Sequence, residues 1–185
     1  ADLPGTDSAV LAAALDRLKS CLELWFNPAP TLPSLGLWYD TTFGGVLGQT
    51  ECNFANFGNF MYNDHQFHYG YHLHAAAVVA KYDADQQWSD AHEPYVHAIV
   101  RDIANPSYTD PNFPFMRHLD TYLGYGFAHG MGFGFYGKNR ESTSEEMHSW
   151  YGIAYYGHVR GDERLRDLGR FGLASTRAAS LEYYM

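Results

Sequence analysis

Tyr62-Asn63-Asp64-His65-Gln66-Phe67-His68-Tyr69-Gly70-Tyr71-His72-Leu73-His74 runs without a break into Ala75-Ala76-Ala77-Val78-Val79-Ala80, and this join decides how the rest of the chain is read. The alanine-rich half is a strong helix former. The polar half therefore predicts a helix that starts at its N-terminal end, with Asn63 or Asp64 near the N-cap. On that helix Asp64, His68 and His72 fall at i, i+4 and i+8, which puts them on one face, about one turn apart. A second acidic stretch, Glu141-Ser142-Thr143-Ser144-Glu145-Glu146, lies far downstream at what also reads as a helix start. Two carboxylate-bearing helix ends predict a cleft between them.

Working outward, Val10, Leu11, Leu15, Leu18, Leu22 and Trp25 recur at helical spacing, so residues from about Ser8 to Trp25 form an amphipathic helix that Asp7 or Ser8 caps. Asn27 to Pro33 ends it, and a long ordered loop follows to Gly58. Within that loop, Trp38 to Gly45 reads as a short strand and turn, with Asp40 equally suited to a turn or to a ligand contact. Asp83-Ala84-Asp85 breaks the central helix, and Trp88 to Ile103 forms the next one, its Pro94 read as lying near the first turn. Residues 105–114 are loop by composition, and Gly124, Gly126, Gly130, Gly132 and Gly134 continue irregular backbone. Two last helices are expected over Ser142–Val159 and Asp162–Met185, divided at Gly161. The chain, residues 1–185, reads as a single all-α unit of about five helices, with no βαβ alternation and no repeat.

The net charge of −9 with only 18% charged residues disfavours a nucleic-acid partner and an anionic substrate. The 15 Tyr and 12 Phe exceed the needs of a core this size and suit stacking on a neutral, ring-shaped ligand. No segment approaches the roughly 20 apolar residues that cross a bilayer, so no membrane partner is expected. The N-terminus lacks the basic start and apolar core of a signal peptide. Cys21 and Cys52 suit either one disulfide or two thiols.

Paired carboxylates from separate helix ends are what hydrolysis of a glycosidic bond requires, one protonated to donate to the leaving oxygen and one ionised on the opposite face. Asp64 with Glu141 or Glu145 can fill those roles. Each also has a plainer reading: Asp64 as an N-cap, and Glu145 as the far end of the capping box Ser142-x-x-Glu145. Asp64, His68 and His72 could instead ligate a metal, but no HExxH and no second histidine cluster completes such a site, so metal ligation ranks below sugar contact. A serine hydrolase is weaker still, with no GxSxG elbow or strand to carry it.

Tyr62 to Tyr71 and Glu141 to Glu145, together with Tyr39–Gly45, Val100–Ser107 and Arg166–Arg170, closely resemble the signatures of glycoside hydrolase family 81, the endo-β-1,3-glucanases. That resemblance implies part of an (α/α)6 toroid bearing a long glucan groove. It also implies an inverting mechanism without metal or organic cofactor, on laminarin-like or cell-wall glucan. Carried over by position, Asp64 matches the general acid, Glu141 the general base and Glu145 a second essential glutamate. Tyr39, Asp40, His68, Tyr69, His72 and Asp120 take substrate-binding places. The partners implied are β-1,3-glucan, the remainder of the catalytic domain and a β-sandwich domain, in a secreted or cell-wall setting. Gln66 stands where the family shows His, Arg140 where it shows Gln, and Glu146 where it shows Ala. A guanidinium next to Glu141 is expected either to alter a subsite or to lower that carboxyl's proton affinity. A non-catalytic glucan-binding or structural module on the same fold is the alternative.

Overall fold

The computed structural model describes residues 7–26, 36–48, 56–131 and 138–185. Cys52, the breaker segment Asn27–Pro33, and Gly132 and Gly134 of the glycine ladder lie outside these residues. Five α-helices dominate: α1 (Ser8–Phe26), α2 (His65–Tyr82), α3 (Gln87–Ala104), α4 (Thr143–Arg160) and α5 (Glu163–Tyr183). Two small antiparallel hairpins accompany them, β1 (Leu37–Asp40) with β2 (Gly45–Gly48), and β3 (Leu119–Asp120) with β4 (Tyr125–Gly126). A single turn of 3-10 helix, Asn59–Met61, precedes α2. The all-α reading holds, and the helix boundaries fall within a residue or two of those expected.

The helix ends follow from local chemistry. Asp7 caps α1, its Oδ1 accepting from the Ala9 amide at 2.8 Å. Ser142 caps α4 by accepting from the Glu145 amide at 3.3 Å, and Asp162 caps α5 by accepting from the Leu165 amide at 3.0 Å. Gly161 ends α4 at φ 71, a left-handed turn that lets α5 fold straight back. Two features differ from expectation. Pro94 lies well inside α3 and not near its first turn, because the helix begins at Gln87; a proline there has no amide to offer the Asp90 carbonyl. The glycine-rich stretch also contains the β3–β4 ladder, too short to leave an alternating pattern in sequence.

α4 is the central slab of the packing, with α2 on one side and α5 on the other. The spacing is set by glycines. A Cβ added at Gly70 of α2 would meet the Ser149 backbone at 2.8 Å, and one at Gly169 of α5 would meet the Ala154 amide nitrogen at 2.3 Å. Around these contacts lies one continuous core, in which Leu73, Ala77, Val79, Ile153 and Tyr156 are buried. Lys19 of α1 pairs with Asp83 at 2.8 Å, where the carboxylate also accepts from the Ser89 amide and hydroxyl and so caps the start of α3.

Gly169→Ala tests this spacing. On an open helix the change would stabilise by up to about 1 kcal/mol. Here the added methyl meets backbone that cannot step aside, and a net loss of about 2 kcal/mol is expected in urea unfolding.

Candidate active site

The segment before α2 is held in an unusual backbone path. Tyr62 (φ 64) and Asp64 (φ 59) are both left-handed, a conformation Asp tolerates and Tyr does not favour. Tyr62 is kept there by its surroundings. Its hydroxyl donates to Asp40 Oδ2 at 2.6 Å, and the Arg117 guanidinium lies over its ring at 4.2 Å. Asp40 in turn closes the β1–β2 turn by accepting from the Thr42 and Phe43 amides, so both readings of this residue, turn and site, meet in one carboxylate. These bonds, the Tyr62 hydroxyl first, hold its carboxyl below the ordinary range.

Asp64 occupies the N-cap position of α2, yet its side chain makes no capping bond. The plain reading of this residue as a helix cap therefore fails, and the carboxyl is left for other work. It is buried, and its amide donates to the Ala128 carbonyl at 2.8 Å. Burial first, then the negative charges of Glu141 and Glu145, push its carboxyl up to about 6; His129 and His65 pull the other way. Asp64, Glu141 and Glu145 thus share one electrostatic neighbourhood although they come from two distant segments. Glu141 is exposed, just ahead of the α4 cap. The Glu145 Oε1 accepts from the Tyr71 hydroxyl at 2.9 Å, which ties α4 to α2 at the mouth of the site. Ser142 and Glu145 form only half of a capping box, because that carboxylate is turned to Tyr71.

His68 belongs to the same cluster. Burial lowers its proton affinity while Glu145 and Glu141 raise it, and its ring meets Phe57 edge-on at 5.4 Å. Beside Tyr62 opens a cavity of about 350 Å³, lined among others by Phe43, Arg117, Asp120, Phe127, His129 and Lys138. Asp120 accepts from the Tyr122 and Leu123 amides and stands 3.7 Å from Lys138 Nζ, so it shapes the β3–β4 turn at the cavity wall. Tyr39, half exposed, donates to the Asn112 carbonyl at 2.5 Å on the outer side of the first hairpin.

Three of the residues singled out in the sequence make contacts that the sequence does not announce. His72 shares a helix with Asp64 and His68 but is packed edge-on against Trp25 of α1 at 5.1 Å, where burial lowers its proton affinity to about 4. Eight residues of helix carry it past the site and under α1. Tyr69 is buried, its hydroxyl donating to the Val46 carbonyl at 2.6 Å, so it supports β2 from beneath. Arg140 turns away from Glu141: its Nε donates to Thr143 Oγ1 at 2.9 Å, one terminal nitrogen donates to Ser180 Oγ at 3.0 Å, and the pair with Glu146 is 3.6 Å.

Sequence reasoning missed a buried network behind the site. His65 Nδ1 meets Asp102 Oδ2 at 2.5 Å, His65 Nε2 meets the Asn59 carbonyl at 2.9 Å, and Asp102 Oδ1 accepts from the Val46 amide at 2.9 Å. The signal was present: Asp102 shares a helical face with Ile99 and Ile103, where a buried charge demands a partner. His65, Asp102 and His118 are also the cluster of metal-ligand type found among the described residues, in place of Asp64, His68 and His72. Both His65 nitrogens are already engaged and the Arg117 Nε lies 3.8 Å from Asp102, so a cation there would meet a guanidinium, although His118 Nε2 has no hydrogen-bond partner.

A helical scaffold in which the buried Asp64 carboxyl feels the charges of Glu141 and Glu145 from the start of another helix defines an all-α protein with a cluster of three carboxyls. Comparison with known proteins agrees. Residues 4–185 match the glycosyl hydrolase family 81 C-terminal domain, and the chain belongs to that family. It is 40% identical over 152 residues to the primary septum glucan endo-1,3-beta-D-glucosidase of Schizosaccharomyces pombe, covering 80% of this chain and 15% of that protein. It is 38% identical over 177 residues to a glucan endo-1,3-beta-D-glucosidase of Thermobifida fusca, covering 93% of this chain and 22% of the relative. A solved family 81 structure from Clostridium thermocellum superposes with a TM-score of 0.82 at 32% identity, over 95% of this chain and 24% of that one. The chain therefore spans about a fifth of the length of these relatives.

The raised Asp64 carboxyl carries a stability consequence. Its affinity in the fold, about 6, exceeds the ordinary 3.8, so the folded state binds more protons between those values and loses stability as pH rises through them. Asp64→Asn removes that penalty. The variant is expected to be more stable than the parent by on the order of 2 kcal/mol at pH 7.5 and no more stable near pH 3.5, read by thermal melts at both.

Proposed function

We propose that this chain carries the working carboxyls of an endo-acting β-1,3-glucan hydrolase that inverts the anomeric centre. The observation that supports this most directly is the contrast between Asp64, buried and with its proton affinity pushed up to about 6, and Glu141, exposed at the start of α4. In this reading Asp64 gives its proton to the glycosidic oxygen as the bond to the anomeric carbon breaks. Glu141 takes a proton from the water that attacks that carbon from the opposite face. The β-linked sugar then leaves as the α-anomer, which requires the two carboxyls to stand about 6.5–9.5 Å apart. Glu145, fixed by Tyr71, and His68 serve the same cleft, Glu145 by holding the field that keeps Asp64 protonated. The exposed rings of Phe43, Phe57 and Tyr71 offer faces for successive glucose units.

The substrate class is β-1,3-glucan of the laminarin or cell-wall type, reached outside the cell or at the wall, a reading that the S. pombe relative's name, primary septum glucan endo-1,3-beta-D-glucosidase, supports. No helix among the described residues is long and apolar enough to cross a membrane. The full groove would take in the remainder of the catalytic domain that the longer relatives carry and, as the resemblance implies, a β-sandwich domain. No step in this scheme draws on a metal or an organic cofactor.

Product analysis on a soluble β-1,3-glucan tests the reading. NMR at the earliest times is expected to show the α-anomer, and Asp64→Asn and Glu141→Gln are each expected to cut kcat by at least about a hundredfold with glucan binding kept. The rate is expected to fall as pH rises through about 6, because the acid must be protonated. Glucan binding with no turnover in the parent protein would instead favour a binding module. Release of the β-anomer would overturn the inverting mechanism.

A further inference from the structure

The residue next to Glu141 is a buried arginine, and its companion is a buried glutamate on the following helix. Arg140 and Glu146 have side chains only 3% and 1% exposed, and the guanidinium sits between the rings of Tyr125 at 4.6 Å and Tyr184 at 5.3 Å. Glu146 Oε1 accepts from the Gly126 amide at 2.7 Å, from Thr176 Oγ1 at 3.1 Å and from Trp150 Nε1 at 3.4 Å. The pair therefore joins four elements: the segment before α4, α4 itself, α5 and β4. Neither ion touches the cleft. Burial raises the Glu146 carboxyl above its ordinary value, and the Gly126 amide and Arg140, which lead the groups that oppose it, offset this only in part.

What this pair clamps is the spacer between the two carboxylate segments. The Asp64 amide donates to the Ala128 carbonyl at 2.8 Å, and the Ala128 amide donates to the Asn139 carbonyl at 2.9 Å. One residue thus bridges the backbone of Asp64 to the backbone two residues before Glu141. Gly126, held by Glu146, lies two residues on one side of that bridge, and Arg140 lies directly after Asn139 on the other. The strand between is fixed again by Phe127, whose carbonyl accepts from Gln66 Nε2 and whose amide donates to the His118 carbonyl at 3.0 Å.

We propose that Arg140 and Glu146 are positioning residues that set the separation of Asp64 and Glu141 through the Ala128 bridge. This rests on the reading of those two carboxyls as the working pair. The arginine's planar fork and the ring faces fix one end of the bridge, and the carboxylate fixes the other, so a change at either moves both carboxyls relative to each other. Because both ions are buried, losing one strands the other without its partner, whereas losing both does not. The pair must therefore behave as a unit.

The test uses Arg140→Met, Glu146→Gln and the double variant in the full-length protein, assayed on soluble β-1,3-glucan well below the melting temperature. Each single change is expected to lower kcat by about tenfold or more with KM altered less than about twofold, since misplacement by even an ångström acts on the chemical step. The double variant is expected to be no more impaired than the worse of the two single variants, which additive effects cannot produce. Amide hydrogen exchange at Ala128 and Asp64 is expected to quicken by about tenfold in Arg140→Met while amides in the core of α2 keep their protection. Unchanged Ala128 exchange in both single variants overturns the proposal, as do additive losses or unchanged kcat where Asp64→Asn and Glu141→Gln are inactive. If those two variants remain active, the carboxylate reading fails by itself and the exchange data alone decide the positioning role. If Arg140→Met does not fold, Arg140→Lys, which keeps the charge and loses the fork, is read in the same way.

Discussion

The buried carboxylate of Asp102 is the constraint on which the site's geometry depends. It lies on α3, fully enclosed, and an ion in that place is tolerable only if every lone pair is met. Its partners come from elements that have no other reason to converge: the Val46 amide of β2, the His65 ring at the start of α2, and Arg117 from the loop before β3. Burial pushes this carboxyl up, but His65 and the neighbouring cations outweigh it, and the group is held below its ordinary range. An ionised Asp102 then dictates which way His65 faces. Because Asp64 is the adjoining residue, the same bond fixes where the backbone of the candidate acid enters the cleft.

A second layer of constraint comes from the helices. α2 can lie against α4 only because Gly70 presents no side chain to Ser149, and that closeness brings Tyr71 within reach of Glu145. One turn further along the same seam, His74 Nδ1 meets His148 Nε2 at 2.5 Å. A tight helix pair is thus used twice, for packing below and for fixing a carboxylate above. The loops do the remaining work through backbone bonds, which specify position more firmly than long side chains can.

Much of this was legible in the sequence, for physical reasons that also explain what was not. Apolar spacing in α1, the Ser142 and Asp162 caps and the glycine at 161 are local signals, and each was satisfied locally. Periodicity gave the face of α2 on which His72 lies, but a face does not name its neighbour, and Trp25 is 47 residues away in the chain. Tyr69 and Arg140 misled for the same reason, since their partners Val46, Ser180 and Glu146 come from other elements. Asp64 was placed correctly at the start of α2, yet its failure to cap depends on a left-handed φ that residue type alone does not specify. The proximity of Asp64 to the 141–145 segment was inferred from chemistry, and the charges that raise its proton affinity place them together. Their catalytic roles stand on the proposal.

The difference between the two proposed carboxyls follows from environment more than from residue type. A carboxylate at a helix N-terminus is ordinarily stabilised by the helix dipole and by the free amides, which lowers its proton affinity. Asp64 sits at such a terminus but forgoes the capping bond, so burial and two neighbouring negative charges prevail and push its carboxyl up to about 6. Glu141 stands outside the first turn of α4, whose cap is supplied by Ser142, and it remains in water. Arg140, the cation nearest to it in sequence, is engaged with Thr143, Ser180 and Glu146. Two helix starts thus present carboxyls in different surroundings, one enclosed and one exposed, and neither carboxylate is used in its cap.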